Sequence, residues 1–334
     1  ELDLNEVETL STEGDLDYLS LRMSVSDDHE VNISNADFVY KFVEKKGMAG
    51  CNPAIIPISK DLLKIVAEEA AQGLLLDDAG KTEFQSDVGA VMWIATTYCP
   101  KLATAVSLIS KWCANPTISC PRLIKHLARW LAGNVNMCLK TVFGNRSGLR
   151  VFCDSDHAGM IAIIQDPRSR LGIVAMYNGM PILWMSAWIK AICLSSGEAE
   201  VYALAEAAKV AQHLKFICQE LMIGVPDRVP IYCDASAAIG FADNLGGTSQ
   251  SRLKHIDLRR AFVAQLRDQD SIEILKIDGK ANPANFFTKI LSGSEFQKEG
   301  EPLMSTIELP KAMADKCRIR GHGKEHSSDP SLVR

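Results

Sequence analysis

The 334-residue chain has no CxxC pair among its ten cysteines, no apolar run of the roughly 18 residues that a membrane span needs, and no visible internal repeat. Most cysteines lie inside apolar stretches such as RVFCD and KAICLSS. These absences argue against a zinc site, a disulfide framework, a transmembrane segment and a repeat protein. We therefore expect buried, reduced thiols and a reducing intracellular compartment.

The chain also has little net charge, −5 at pH 7, but the charge is unevenly distributed. Residues 1–30 contain ten acids and one base, Arg22, a local charge of −9 that leaves +4 for the rest of the chain. A mildly basic remainder is compatible with a polyanionic partner without requiring one. The first residue is Glu1, so we expect a processed product, a segment of a longer polypeptide or an edited sequence.

The spacing of apolar residues predicts helices as far as residue 131. Helical spacing is found in VNISNADFVYKFVEKKGM, with Gly47 as the stop, and in KDLLKIVAEEAAQGLLLDDAG. Three further helical segments, separated by Pro and Gly, fill residues 83–131 and predict a small bundle. Trp93, Trp112 and Trp130 are expected to pack inside it.

After residue 134 the pattern changes to short strands. CLKTVFG, GLRVFCDSD, LGIVAMYNG and PILWMSAW, followed by KAICLS, predict an antiparallel meander. A long helix capped by Ser195 or Ser196 comes next. Strand VPIYCD, helices ASAAIGFADN and HIDLRRAFVAQLRDQ, strand SIEILKID and helix NPANFFTKIL complete the order. This order predicts a mixed α/β layer fold.

Three acids stand at the ends of separate predicted elements. Asp154 follows the strand LRVFC, Glu200 lies near the start of the long helix, and Asp234 ends the strand VPIYC. If the two strands are neighbours, the three carboxylates meet at one sheet edge. Two-metal hydrolysis of a phosphodiester requires such converging oxygen ligands. Each acid alone is also explained by a turn, a helix cap or the helix dipole.

The ordered motifs DSDHAG, W-x-S, LSSGEAEVYAL, CDASAAI, LKHIDLR and NPANFFTK resemble the ribonuclease H domain of copia-type retrotransposon polyproteins. Upstream, ISNADFVYKFVEKKGMAGCNPAIIPI and SDVGAVMWIATTYCPKLATAVSLISKWCANP resemble the end of the same polyprotein's reverse transcriptase. The resemblance implies an α/β fold, in which a mainly helical reverse-transcriptase-derived domain precedes a ribonuclease H-like mixed sheet flanked by helices. It divides the chain into a palm-end remnant (1–80), a thumb- or connection-like helical region (81–148), the ribonuclease H-like domain (149–292) and a C-terminal extension (293–334).

By this resemblance, Asp154, Glu200 and Asp234 are catalytic acids that hold two Mg²⁺ ions. The fourth acid of the family's N-P-A-D pattern falls on Asn285, where this chain reads NPAN. Because a neutral amide oxygen compensates less charge than a carboxylate, we expect a weaker second cation and weakened activity. Asp156 is expected to point to the opposite face of its strand and not to replace the missing acid.

The Asp77-Asp78 pair is superficially similar to the paired aspartates of a polymerase palm. Palm aspartates lie at a strand hairpin, whereas these follow a helix, so we expect a solvated helix end. The sequence therefore contains no polymerase active site, and DNA synthesis by this chain alone is excluded.

One further departure from the family pattern and one basic cluster concern the nucleic-acid surface. Where the family has a polar, arginine-rich turn, this chain has the apolar residues 160–164, which predict either a lost substrate edge or a gained protein partner. Arg168 and Arg170 are expected to retain a backbone contact. The segment SRLKHIDLRR predicts either a phosphate-binding patch or a solvated helix face, formed by Arg252, Lys254, His255, Arg259 and Arg260.

Two functions fit these observations. The first is a ribonuclease H that binds nucleic acid and cuts the RNA strand of RNA–DNA hybrids with Mg²⁺, in the cytoplasm or nucleus. The second is a domesticated, inactive structural subunit of a large assembly, such as an organellar ribonucleoprotein that contains structural RNA and protein partners, in the mitochondrion. The three retained acids favour the first, whereas Asn285 and the apolar residues 160–164 favour the second.

Overall fold

Helices make up much of the described structure. The computed structural model describes residues 10, 14–141, 144, 147–234 and 254–309. Its helices are α1 (Ala36–Lys45), α2 (Lys60–Ala71), α3 (Asp78–Thr97), α4 (Ala103–Ile109), α5 (Cys120–Ala132), α6 (Ile161–Ile164), α7 (Ser196–Glu220), α8 (Lys254–Asp268) and α9 (Gly293–Gly300). Short 3-10 helices cover Pro100–Leu102, Ser110–Trp112, Gly279–Ala281, Pro283–Phe287 and Glu301–Leu303. In these described ranges, none of the helices combines the length and apolarity needed to cross a bilayer.

The strands form two sheets within the described residues. They are β1 (Leu16–Tyr18), β2 (Leu21–Val25), β3 (Val31–Ser34), β4 (Met137–Lys140), β5 (Leu149–Asp156), β6 (Arg170–Tyr177), β7 (Met180–Trp188), β8 (Val229–Cys233), β9 (Ile272–Lys276) and β10 (Ser305–Thr306). The first sheet is antiparallel, in the order β1-β2-β3-β4-β10. The prediction that CLKTVFG joins the meander is wrong, since β4 pairs with β3 and β10 instead.

The second sheet has the order β7-β6-β5-β8-β9. Strands β5, β6 and β7 form the predicted antiparallel meander, and β8 and β9 add to β5 in parallel. A meander extended by parallel strands, with α7 packed on β5, β6 and β8, is the ribonuclease H-like arrangement expected from the sequence. Because β5 and β8 are parallel neighbours, their carboxyl ends reach the same sheet edge.

Serine and aspartate caps begin the principal helices. The Ser59 side chain accepts from Leu62 N at the start of α2. The Ser195 side chain accepts from Glu198 N, and the Glu198 carboxylate accepts from Leu194 N at 2.6 Å. Of the two predicted caps, Ser195 and Ser196, Ser195 is therefore the one that caps α7.

The Asp77-Asp78 pair lies at the start of a helix. The Asp77 side chain caps α3 by accepting from Gly80 N at 2.8 Å. The prediction that the pair ends a helix is therefore wrong, because it lies where α3 begins. Both aspartates nevertheless lie at a helix terminus, where their side chains are favourable.

Several predicted segments differ from the structure. The segment KAICLS forms no strand, and NPANFFTKIL is helical only as the 3-10 turn Pro283–Phe287. The predicted helix ASAAIGFADN lies outside the described residues. Trp112 and Trp130 are buried, whereas Trp93 is 36% exposed and does not pack inside the bundle as expected.

The second sheet separates two hydrophobic cores. The first core contains residues of the helices α1–α5 and, from one face of the second sheet, Phe152 and Val174. Phe286 and Phe287 of the 3-10 helix Pro283–Phe287 complete it. The second core lies between the other sheet face, α7 and α8. The predicted domain boundaries stay a prediction, and the first core includes residues from both sides of residue 148.

The apolar residues 160–164 belong largely to the first core. Met160 and Ile164 are buried, and α6 lies against α2, while Ile161 is 52% exposed. The predicted apolar surface is therefore mostly an internal contact with the helical region. These residues supply no evidence for an external protein partner.

Candidate metal centre

Three acids converge where β5 and β8 end. Asp154 lies near the end of β5, Asp234 directly follows β8, and Glu200 comes from the second turn of α7, which packs on both strands. One carboxylate oxygen of each lies within 4.8 Å of the corresponding oxygens of the other two. Cations about 3.5 to 4 Å apart can be held by oxygens at such separations. The residues that the sequence predicted are therefore brought together.

Burial makes this cluster of negative charge unfavourable without a cation. Burial raises the pKa of Asp154 to about 6, although a hydrogen bond from Thr288 and the charge of Lys289 act in the opposite direction. Burial also raises the pKa of Glu200 to about 7, and the neighbouring charges of Asp154 and Asp234 add to that increase. A divalent cation would remove the repulsion that these carboxylates exert on one another.

The donor set fits a hard divalent cation. All three donors are carboxylates, the ligands that Mg²⁺ and Mn²⁺ prefer. Glu200 Oε2 is buried and has no hydrogen-bond partner of ordinary geometry among the described residues, while Ser155 acts on the same carboxylate and opposes the rise of its pKa. A buried carboxylate oxygen without a donor is costly unless an ion or water compensates it. This unsatisfied oxygen supports the assignment of a cation site.

Asp156 stands on the same face of β5 as Asp154. Both residues lie within β5, two positions apart, and strand side chains alternate with a period of two. The expectation of opposite faces is therefore wrong. Asp156 does not join the acidic group, and its Oδ2 lies 1.8 Å from the position that a Cβ on Gly159 would occupy. Its carboxylate is thus held against the Gly159 backbone.

Asn285 uses its amide within the fold. Its Nδ2 donates to the Gly279 carbonyl oxygen. Gly279 in turn lies against the third acid, since a Cβ there would be 2.8 Å from Asp234 Oδ2. An aspartate at position 285 lacks this N–H donor. Asn285 therefore stabilises the turn beside Asp234. It is also the position at which this chain lacks the fourth acid of the family motif.

Two further polar residues of the same motif support the site, and sequence reasoning missed both. Asn282 Nδ2 donates to Cys153 O at 2.9 Å, and Thr288 Oγ1 lies 2.7 Å from Asp154 Oδ2. Both side chains are buried. The signal was available, because both residues flank Asn285 in NPANFFTK, but only a structure shows which partner each one reaches.

Arg170 cannot make the predicted nucleic-acid contact. It is 0% exposed, and its Nη2 donates to Ser107 Oγ and Ser186 Oγ at 3.2 and 2.6 Å. Its guanidinium stacks over Trp188 at 4.5 Å. Burial lowers the pKa of Arg170 to about 10, opposed by the charges of Asp156 and Asp166. An arginine that joins α4 to the sheet in this way cannot reach a phosphate.

Arg168 is held at the same junction. Its guanidinium donates to Asp166 at 3.0 and 2.6 Å and lies 5.1 Å from the Trp188 ring centre. Lys111 approaches the same carboxylate at 2.5 Å. Burial would raise the pKa of Asp166, but these hydrogen bonds outweigh it and lower the pKa. Arg168 is 35% exposed and can still face a partner.

The basic segment near α8 is described in part. The Arg259 guanidinium lies 4.1 Å from the Tyr202 ring centre, and Arg260 Nη1 is 3.8 Å from Asp257 Oδ1. Arg252 and the side chains of Lys254 and His255 lie outside the described residues. Arg259 also lines a cleft of about 370 Å³ between β7 and α7, together with Trp188, Lys190, Tyr202 and Glu206, among others.

Comparison with known proteins supports the same family. The chain is 29% identical over 272 residues to the retrovirus-related Pol polyprotein from transposon TNT 1-94 of Nicotiana tabacum, which covers 79% of this chain and 19% of that protein. It is 26% identical over 298 residues to the corresponding polyprotein from transposon RE1 of Arabidopsis thaliana, covering 84% and 19%. These relatives support the identification of this chain as a fragment of a copia-type retrotransposon Pol polyprotein.

The Pol segment spans about a fifth of the length of these two relatives. Among solved structures, it is similar to ribonuclease H1 from the archaeon Halobacterium salinarum NRC-1, with 14% identity and a TM-score of 0.31 over 46% of this chain and 99% of that one. No protein-family model matches the sequence. The ribonuclease H-like assignment accordingly rests on the strand order and on the Pol relatives.

Proposed function

We propose that this Pol segment binds nucleic acid and hydrolyses the RNA strand of RNA–DNA hybrids with a divalent cation. The observation that carries the proposal is the convergence of Asp154, Glu200 and Asp234, whose oxygens lie within 4.8 Å of one another. The buried, unsatisfied Glu200 Oε2 adds a second, independent argument for a cation. The Pol polyprotein relatives make a nucleic-acid substrate the natural choice.

The chain's own residues would hold and orient the reacting groups. Asp154, Glu200 and Asp234 would bind the cation. When bound, Mg²⁺ lowers the pKa of the water that it coordinates and stabilises negative charge on a leaving oxygen. Asn282 and Thr288 fix the end of β5 from which Asp154 projects. Because Asn285 gives less charge compensation than an aspartate, we propose that activity is weaker than that of a site with four acids.

The cleft beside α7 offers a contact for the nucleic-acid backbone. Lys190 is exposed at its rim, and Arg259 and Tyr202 stack on one another inside it. Cationic groups bind phosphates, and the buried Tyr202 ring supports the Arg259 guanidinium from below. We propose that Arg259 and Lys190 contact the hybrid, and that Arg168, Arg252, Lys254, His255 and Arg260 also contribute to nucleic-acid binding.

The test is a cleavage assay on a 5′-labelled RNA–DNA hybrid with Mg²⁺ or Mn²⁺. We expect cleavage by the wild type and its loss in Glu200→Gln. The matched control is Glu220→Gln, which makes the same chemical change at the far end of α7 and should cut like the wild type. An inert wild type, or equal cleavage by both variants, refutes the proposal.

The second candidate is a domesticated, inactive subunit that binds structural RNA or protein partners in a larger assembly. One observation favours it: the Asn285 amide donates a hydrogen bond within the fold, to the Gly279 carbonyl oxygen, which an aspartate could not do. The variant Asn285→Asp separates the two candidates. Restored cleavage in Asn285→Asp, with an inert wild type, supports the inactive subunit, whereas wild-type cleavage that Asp154→Asn abolishes excludes it.

A further inference from the structure

Thr288 makes a short polar contact to an acid of the triad from the neighbouring motif. Its side chain is fully buried, and Oγ1 lies 2.7 Å from Asp154 Oδ2 and 3.0 Å from the Asn285 carbonyl oxygen. A hydroxyl group has one proton to donate, and a charged carboxylate is the stronger acceptor. The hydroxyl therefore hydrogen-bonds to Asp154 when this acid is ionised.

A glycine allows Thr288 to come so close. Gly172 on β6 is paired with Asp154 on β5, and the Pro283–Phe287 helix lies directly over it. A Cβ on Gly172 would be 2.5 Å from Ala284 O and 2.9 Å from Thr288 Cγ2. Contacts this short cannot be tolerated, so any side chain at position 172 would displace the helix and Thr288 with it. The hydrogen bond from Thr288 to Asp154 thus depends on having glycine at position 172.

Other hydrogen bonds hold the same helix in place. Asn282 Nδ2 donates to Cys153 O at 2.9 Å, directly before Asp154. Ser186 Oγ donates to Phe287 O at 2.5 Å, and Thr104 Oγ1 donates to Phe286 O at 3.2 Å. The helix is therefore fixed to β5, β7 and α4. A rigid helix can hold the Thr288 hydroxyl at a defined point beside the carboxylate.

We propose that Thr288 is a positioning residue that orients the Asp154 carboxylate for the cation shared with Glu200 and Asp234. This inference rests on the proposed function. By holding Oδ2, the hydroxyl fixes the rotation of the carboxylate about its Cβ–Cγ bond. The remaining lone pairs are then oriented for the cation that Asp154 would share with the other two acids. Outer partners of metal ligands commonly act in this way, and their loss weakens metal binding by about 10- to 100-fold.

The test is Mn²⁺ binding to the metal-free protein, measured by calorimetry and by the electron paramagnetic resonance signal of free Mn²⁺. Thr288→Val keeps the shape but removes the hydroxyl, and we expect binding about 10-fold weaker or worse. Thr288→Ser retains the hydroxyl and should bind within about threefold of the wild type. Thr117→Val is the matched control, because it also removes a fully buried threonine hydroxyl, one that lies 3.5 Å from Cys120 Sγ and not beside an acid of the triad, and its affinity should not change.

The outcomes separate this inference from the proposed function. No Mn²⁺ site in the wild type, or one that persists in Glu200→Gln, overturns the proposed function and the inference together. A wild-type site that Thr288→Val binds equally well overturns the inference alone. Thr288→Ala serves as a second hydroxyl-free variant if Thr288→Val unfolds, and equal affinity in that variant also overturns the inference. Weak binding in Thr288→Ser as well as in Thr288→Val would show that packing, not the hydroxyl, matters.

Discussion

Replacing Asp154 by Asn should stabilise the cation-free protein while it destroys the cation site. Burial raises the pKa of Asp154 from 3.8 to about 6, a change of about 2 units. At 1.36 kcal/mol per unit, the ionised carboxylate costs the folded state about 3 kcal/mol. Asn has the same shape, carries no charge, and can still accept from Thr288 through its Oδ1. The free energy of unfolding should therefore rise by up to about 3 kcal/mol at pH 8, or roughly 4 °C in Tm for a chain of this size.

The gain should depend on pH with a defined sign. Because the folded state holds the proton of Asp154 more tightly than the unfolded state, wild-type stability is highest below the unfolded pKa of 3.8 and falls as the pH rises towards 6. Glu200, with a pKa raised to about 7, extends this fall to near neutrality. The advantage of Asp154→Asn should accordingly be about half of its full value at pH 5 and largest at pH 8.

Urea unfolding with a chelator present, at pH 5 and pH 8, measures both effects. Asp87→Asn is a matched control, since Asp87 is also buried but accepts from Lys46 Nζ at 2.6 Å, and its loss should destabilise the protein at both pH values. Equal stability of the wild type and Asp154→Asn at pH 8, or a less stable variant, would show that the triad is not a repulsive cluster.

Three further predictions concern packing and polar contacts. Gly172→Ala places a Cβ 2.5 Å from Ala284 O and should cost about 1–3 kcal/mol in urea unfolding; unchanged stability would disprove the close packing. Asn285→Asp removes the donor to Gly279 O and should cost about 1–3 kcal/mol in the cation-free protein, whereas a more stable variant would argue against that hydrogen bond. Lys46→Ala leaves the buried Asp87 only the longer contact to Lys45 Nζ, at 3.9 Å, and should cost up to about 3–5 kcal/mol, and a loss below 1 kcal/mol would contradict the buried ion pair.

The sequence predicted which three acids converge, because each lies near the end or the beginning of an element whose pattern is strong. Strands LRVFC and VPIYC are short, apolar and bounded by turns, and the α7 pattern runs for about seven turns after a serine cap. Their order alone does not establish that β5 and β8 are neighbours. That information came from the resemblance to the Pol family, and the parallel pairing of β5 with β8 confirms it.

The sequence was a poor guide where a residue's partner lies far along the chain. Arg170 begins an apolar strand and looked like a surface residue, yet α4 and Trp188 enclose it. Met160 and Ile164 looked like an exposed apolar patch because the helical region that covers them is about 100 residues away. Strands as short as β10 carry too little pattern to be recognised before their pairing partner is known.

Anomalous diffraction from a crystal of the protein soaked in Mn²⁺ tests the central claim most directly. The claim is that Asp154, Glu200 and Asp234 share a divalent cation at the end of β5 and β8. It predicts an anomalous peak within coordination distance, about 2.0 to 2.3 Å, of carboxylate oxygens from all three residues. The peak should disappear in Glu200→Gln. A soaked crystal with Mn²⁺ bound elsewhere and no peak among these three acids would contradict the claim.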